Sequence, residues 1–236
     1  MHFPSADKSL VAQLCDRRFG IGSDGILLIQ NVEEADLHVD FLNPDGSRSF
    51  CGNGSRCALR FAASLGMIEA SCFFTASDGM HQGKVEPDQI HIAMRDVDAI
   101  ERHEYGTELY TGSPHLIRFV DDVAAVDIEK EGAAIRYNER YKAEGINVNF
   151  IQQLSPDTLA IRTYERGVEA ETLACGTGVT AAALAKASQE RIDRKEIFVK
   201  AKGGNLSVRF EKSGNGFKNI WLTGPAVKVY AGSIAL

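Results

Sequence analysis

The chain has 236 residues, 44% of them hydrophobic and 25% charged, which is enough for one large soluble domain or two of about half that length. A formal charge of −6 with no long Lys/Arg cluster excludes a nucleic-acid binder and points to a small-molecule substrate. No window approaches the roughly 18 apolar residues of a membrane span, no apolar core follows Met1, and five cysteines without Cys-x2-Cys or Cys-x4-Cys spacing suit reduced thiols in a cytoplasmic protein, not a disulfide framework or zinc site.

From the N-terminus, Ser5 is positioned to cap a short helix whose apolar face is Leu10, Val11 and Leu14, with Gly20 as its stop. Gly25–Gln30 reads as a compact apolar strand, and Leu37, Val39 and Phe41 alternate with His38 and Asp40 as a half-buried one. The turn Asn43-Pro44-Asp45-Gly46 then leads to Cys51. Apolar groups at Cys57, Ala58, Phe61, Ala62 and Leu65 predict a helix ending at Gly66. Strands are predicted at Phe73–Ser77, Gly83–Glu86, Gln89–Met94 and Leu116–Val120, and Asp121–Glu144 reads as one helix with loops, where the chain crosses from one domain to the next.

The second half repeats this order. Strands at Ile146–Gln152 and Leu159–Tyr164 precede Cys175, and Val179–Ser188 is a helix so rich in alanine that sheet is expected to wrap it closely. Strands at Glu196–Ala201, Leu206–Phe210 and Lys218–Thr223 finish the chain, with glycine turns at 203–205 and 213–216. Most strand links are too short for a crossover helix, so the sheet is antiparallel or mixed and the class is α+β, with domains over 1–115 and 116–236 and a C-terminal strand that can return to the first.

The repeat places Cys51-Gly52-Asn53-Gly54 and Cys175-Gly176-Thr177-Gly178 in the same frame, 124 positions apart, each opening a helix. A glycine turn at a helix start presents unpaired N–H groups and the positive end of the helix dipole, which lowers a thiol's pKa and attracts a carboxylate. Two such thiols facing one substrate could remove an α-proton from one side of an amino acid and return one to the other. His115 and Glu165 are candidate tuning groups; alternatively His115 is a backbone-bonded turn histidine and Glu165-Arg166 a solvated ion pair. Cys15, Cys57 and Cys72 read as small buried apolar residues. No phosphate loop, dinucleotide fingerprint or distinctive Schiff-base lysine appears, so cofactor-free chemistry is the simpler reading.

These motifs, with Gly112-Ser113-Pro114-His115, Tyr164-Glu165-Arg166-Gly167, Glu171-Thr172-Leu173-Ala174-Cys175 and Thr223-Gly224-Pro225-Ala226-Val227, resemble the diaminopimelate epimerase family collinearly from about Leu10 onward. The resemblance implies two pseudo-symmetric lobes, each with sheet curled around a central helix and the active site between them. It also implies interconversion of LL- and meso-diaminopimelate without pyridoxal phosphate or metal, by a homodimer of lysine and peptidoglycan precursor synthesis. By resemblance Cys51 and Cys175 are the acid/base pair, His115 assisting the first and Glu165 the second. Gly52, Asn53, Gly176 and Thr177 hold the reacting carboxylate, and Asn43, Asn147, Glu165 and Arg166 hold the distal amino-acid end.

Three features depart from the family pattern. Members usually open with a strand and a Gly-Asn-Asp-Phe segment, and this chain starts after that point, about 20 residues short. Ser113 replaces a common asparagine, and the Gly167–Glu171 segment is one residue longer than usual. The alternatives are a related cofactor-free racemase for proline, hydroxyproline or glutamate, a non-catalytic binding paralogue, and a dithiol redox protein.

Overall fold

The computed structural model describes residues 3–234, apart from the side chain of Arg194. Met1, His2 and the last two residues, which belong to the termini read above, lie outside the described residues. The chain divides into two compact units, one formed by residues up to Ile92 with those from Pro225, the other by Ala93–Gly224. The boundary expected after His115 falls inside a strand, and the segment from Pro225 onward joins the first unit without strand structure among its described residues.

The first unit contains α1 (Lys8–Cys15), β1 (Ile26–Gln30), β2 (Leu37–Leu42), α2 (Gly52–Ser64), β3 (Ser71–Ala76), β4 (Gly79–Val85) and β5 (Ile90–Ala93). Its sheet runs in the order β1-β2-β3-β4-β5, antiparallel except for the β2–β3 pair, where Leu37 lies opposite Phe74. The cap of α1 is Asp7, not Ser5. Its Oδ1 accepts from Leu10 N at 3.0 Å, and the helix ends at Cys15, well before Gly20, because Asp16 Oδ1 draws the N–H groups of Arg18 and Phe19 into a turn.

The outward and inward faces of α2 also differ from the expected pattern. Ser55, Ala58, Leu59 and Ala62 are buried, whereas Cys57 is exposed and Phe61 and Leu65 face water. Small side chains let this helix approach its sheet closely, and Leu59 fills the space that Gly83 of β4 leaves open, where a Cβ would sit 2.1 Å from Leu59 Cδ1. Cys15 and Cys72 are buried as expected.

The second unit holds β6 (Glu101–His103), β7 (Gly106–Tyr110), β8 (Pro114–Phe119), α3 (Ile128–Arg136), β9 (Asn147–Ser155), β10 (Thr158–Glu165), β11 (Ala170–Thr172), α4 (Gly176–Glu190), β12 (Arg194–Ala201), β13 (Gly204–Ser213) and β14 (Gly216–Gly224). The order is β14-β13-β12-β10-β9-β8-β7-β6, with β11 added to β10; β8–β9 and β10–β12 are parallel and the remaining pairs antiparallel. Helix α3 packs on β9, β10 and β11, and its Ile128 and Ile135 share a core cluster with Leu116, Val148, Phe150 and Tyr164. Helix α4 is buried continuously from Val179 to Ala187 and touches β7–β10 and β12–β14, the wrapped helix its alanines foretold.

The internal repeat recurs in topology, with β11 as an addition in the second copy. The series β1-β2-α2-β3-β4-β5 and β9-β10-α4-β12-β13-β14 share the same sequence of senses, an antiparallel pair, a parallel crossover through the glycine-opened helix, and two further antiparallel pairs.

Candidate active site

Both predicted cysteines are helix N-caps in extended backbone, Cys51 at φ −128° and Cys175 at φ −109°. Cys51 is half-buried, and its Sγ accepts from Gly54 N at 3.3 Å. Cys175 is buried and makes no such backbone bond; its Sγ lies 3.3 Å from Thr177 Oγ1. The matching turns therefore hold their sulfurs by different groups, an amide in one repeat and a hydroxyl in the other.

Thr177, half-buried, is the nearer end of a polar chain that runs inward to His115. Its Oγ1 is 2.9 Å from His115 Nε2 and 3.2 Å from Ser113 Oγ, and its carbonyl accepts from Thr111 Oγ1 at 2.8 Å. His115 has 0% exposure, and burial first, then the charge of Arg166, push its pKa down to about 3. Parallel pairing of β8 with β9 sets Asn147 beside His115 and brings in Asn149, two residues on and on the same face. Asn149 Nδ2 meets His115 Nδ1 at 3.1 Å and donates to Leu116 O at 3.1 Å, while Asn149 Oδ1 accepts from Thr163 Oγ1 at 2.9 Å. With Nδ1 accepting, the imidazole proton sits on Nε2 and points to Ser113 and Thr177. His115 is thus a neutral donor, and its hydrogen bonds lead through Thr177 to Cys175, whereas the resemblance pairs His115 with Cys51 and gives Cys175 to Glu165.

Asn147 is also buried. Both its N–H groups are engaged, with Ser113 Oγ at 3.1 Å and Pro114 O at 2.9 Å, and its Oδ1 accepts from Arg166 N at 2.9 Å. Asn147 therefore shapes the Glu165-Arg166 turn through the backbone. Arg166 is exposed and donates to Glu144 O, and Glu165 closes β10 half-buried, its carbonyl accepting from Glu169 N at 2.8 Å.

In the first unit, Asn43 follows β2, and its Nδ2 binds its own turn at Ser47 O, Ser47 Oγ and Ser49 Oγ, each at 3.1 Å. Gly52 is buried at the start of α2, as Gly176 is at the start of α4. Asn53 Oδ1 accepts from Arg56 Nη2 at 2.8 Å. Asn149, Thr163 and Arg56 carry this architecture without having been singled out for it, and Ser113 was marked only as a departure from the family pattern. The usable signals were two asparagines at strand spacing inside an apolar run, and one charge on an otherwise small-residue helix face.

The sequence profile of diaminopimelate epimerase matches residues 3–98 and 107–229. The chain belongs to the diaminopimelate epimerase family. It is similar to the diaminopimelate epimerase of Flavobacterium psychrophilum, 43% identical over 98% of this chain and 91% of that protein, and to that of Aquifex aeolicus, 36% identical over 97% and 86%. Among solved structures, a PhzF-family phenazine biosynthesis protein from Bacillus anthracis aligns with TM-score 0.74 at 14% identity over 100% of this chain and 90% of that one. A probable proline racemase from Agrobacterium radiobacter aligns with TM-score 0.68 at 16% identity over 99% and 82%. These two likenesses establish the two-lobed α+β fold of the family and nothing about substrate. No helix among the described residues is long and apolar enough to cross a membrane.

Proposed function

We propose that this family member epimerises LL-diaminopimelate to meso-diaminopimelate in the cytoplasm by a two-base reaction, Cys51 and Cys175 exchanging the roles of thiolate and thiol. The observation that carries this reading is the recurrence of a cysteine N-cap at the start of a glycine-opened helix in both topological repeats, in a chain of this family. One thiolate takes the α-proton, leaving its bonding pair as a carbanion delocalised toward the carboxylate, and the other thiol delivers a proton to the opposite face. The N–H groups of the two glycine turns, with Asn53 and Thr177, meet the negative charge that grows on that carboxylate. Glu165, Arg166 and Asn43 take the distal amino-acid end, and Asn147 fixes the turn that carries the first two.

The neutral His115 acts here as a donor. Its Nε2–H occupies one lone pair of Thr177 Oγ1 and leaves that hydroxyl's proton to point at Cys175, which stabilises the thiolate when Cys175 is the base.

The test is turnover of purified protein with LL-diaminopimelate, L-proline and L-glutamate in deuterated water. Solvent deuterium is expected at the α-carbon of diaminopimelate only, with Cys51→Ala and Cys175→Ala each losing more than about 10³-fold and Cys72→Ala staying within a few-fold of the unchanged protein. Exchange confined to proline would overturn the substrate assignment, and full activity in either cysteine variant would overturn the pair.

A further inference from the structure

Among the matching positions at which the two repeats differ, one changes the charge beside the cysteine. Five residues beyond each N-cap cysteine, a side chain reaches back to the carbonyl of the glycine that follows the cysteine. In α4 it is Thr180, whose Oγ1 donates to Gly176 O at 3.0 Å. In α2 it is Arg56, whose Nη1 donates to Gly52 O at 3.4 Å while Nη2 donates to Asn53 Oδ1 at 2.8 Å. The geometry is shared and the charge is not.

Arg56 is 6% exposed, its Nε has no hydrogen-bond partner, and among the described residues no carboxylate pairs with it. Burying a guanidinium without a counter-charge is costly, and the N-terminal end of a helix, to which the Arg56 guanidinium reaches back, is the unfavourable end of the dipole for a cation. The hydrogen bonds to Gly52 O and Asn53 Oδ1 offset part of that cost, but both acceptors are neutral; a negative charge held nearby offsets more. Burial lowers the pKa of Arg56, and the thiols of Cys57 and then Cys51 raise it in return. Cys57 lies on the exposed side of α2, where water screens it, whereas Cys51 is half-buried at the N-cap and already accepts the Gly54 N–H.

The other charges around α2 are engaged. Of the strands packed on it, β1 brings no titratable side chain, and β2 brings His38, bonded to Thr75, and Asp40, bound at both oxygens by Arg48 Nε. β4 brings Lys84 and His81, the latter 2.8 Å from Asp78, and on α2 itself Arg60 donates to the carbonyls of Glu86 and Pro87.

We propose that Arg56 holds Cys51 as the resting thiolate, while Cys175, with the neutral Thr180 at the matching position, rests as the thiol. Arg56 is thus a positioning residue that acts through Cys51 and Asn53, and the assignment rests on the acid/base reading of the two cysteines. From this state Cys51 takes the substrate proton and becomes a thiol as Cys175 gives its proton and becomes the thiolate; exchange with water after product release restores the starting state.

The experiment is iodoacetamide labelling of the full chain across a pH series, with each cysteine followed by peptide mass spectrometry. The thiolate displaces iodide and forms a thioether, so the midpoint of each rate profile reports ionisation of that thiol. The Cys51 midpoint is expected at least about one pH unit below that of Cys175. Arg56→Gln should raise the Cys51 midpoint by about one unit or more without moving that of Cys175, and Arg56→Lys should restore most of the difference. A merely structural role would alter folded fraction and leave the midpoints in place. An unchanged Cys51 midpoint in Arg56→Gln overturns the proposal. So does a Cys175 midpoint at or below that of Cys51 in the unchanged protein, which decides the matter even if Arg56→Gln fails to fold. Failure of the acid/base reading shows separately, as epimerisation that survives Cys51→Ala.

Discussion

His115 has no access to water, stands near the positive charge of Arg166 and has an amide N–H against its Nδ1, so its imidazole is held in the neutral form. For His115 this has a consequence for stability as well as chemistry. Its folded pKa, about 3, lies below the ordinary 6.5, so between those values the unfolded chain binds the extra proton and stability falls as pH falls. Acidification from pH 6.5 to 5 should remove about 2 kcal/mol through this one residue. Urea midpoints at the two pH values should show that loss in the unchanged protein and a smaller one in His115→Gln; equal losses would contradict it. Thr177→Val, which keeps the shape and removes the hydroxyl, should lower kcat by about 10²-fold with little change in stability, and Thr177→Ser should recover most of the rate. The sequence marks His115 and Thr177 by their motifs. It does not join them, because the hydrogen bonds that do so run from β8 to α4 and from β8 to β9, across 62 and 34 positions.

At the scale of elements, the long periodic strands, α1 and α2 are legible from spacing and α4 from its alanines, α3 only as one helix somewhere in Asp121–Glu144, and the shortest strands of the second unit not at all. β6, β7 and β11 have three to five residues and are held by their neighbours' hydrogen bonds, with too few positions to display a period. The buried face of α2 was misread for a physical reason: apolar size marks a core face only where there is room, and here Gly52, Gly54, Ser55 and Ala58 pack because they are small. The same close fit governs α4, where a Cβ at Gly178 would stand 2.5 Å from Asn149 Oδ1 and 3.4 Å from His115 Cε1. Gly178→Ala should therefore displace the amide that sets the His115 tautomer, costing about 1–3 kcal/mol in urea unfolding together with most of the activity. The approach to Cys175 is clipped by Arg162, which binds both oxygens of Glu171 at 2.7 and 2.9 Å and also donates to the carbonyls of Val123 and Val126. Removing it in Arg162→Ala leaves those partly buried acceptors behind and should cost about 2 kcal/mol.

For the molecule as a whole, duplication explains why so much of the architecture could be read from two short motifs. Each repeat needs a parallel crossover to bring its helix across the sheet, and the cysteine turn stands where that helix begins. A shared backbone plan with different side chains at matching positions, Arg56 against Thr180 and Asn53 against Thr177, places two cysteine N-caps alike in different surroundings. The division into units is less legible. His115 and Leu116 are consecutive in one apolar strand, so no break in composition marks either that point or the division after Ile92.

The reaction proposed for Cys51 and Cys175 has an isotopic signature that a single acid/base group cannot give. In deuterated water at low conversion, the meso product should carry solvent deuterium at the inverted carbon while recovered LL-diaminopimelate keeps its protium, because the proton removed by one thiol does not return from that side. Equal deuterium in product and recovered substrate would mean that one group does both transfers, and the pairing of Cys51 with Cys175 would fall.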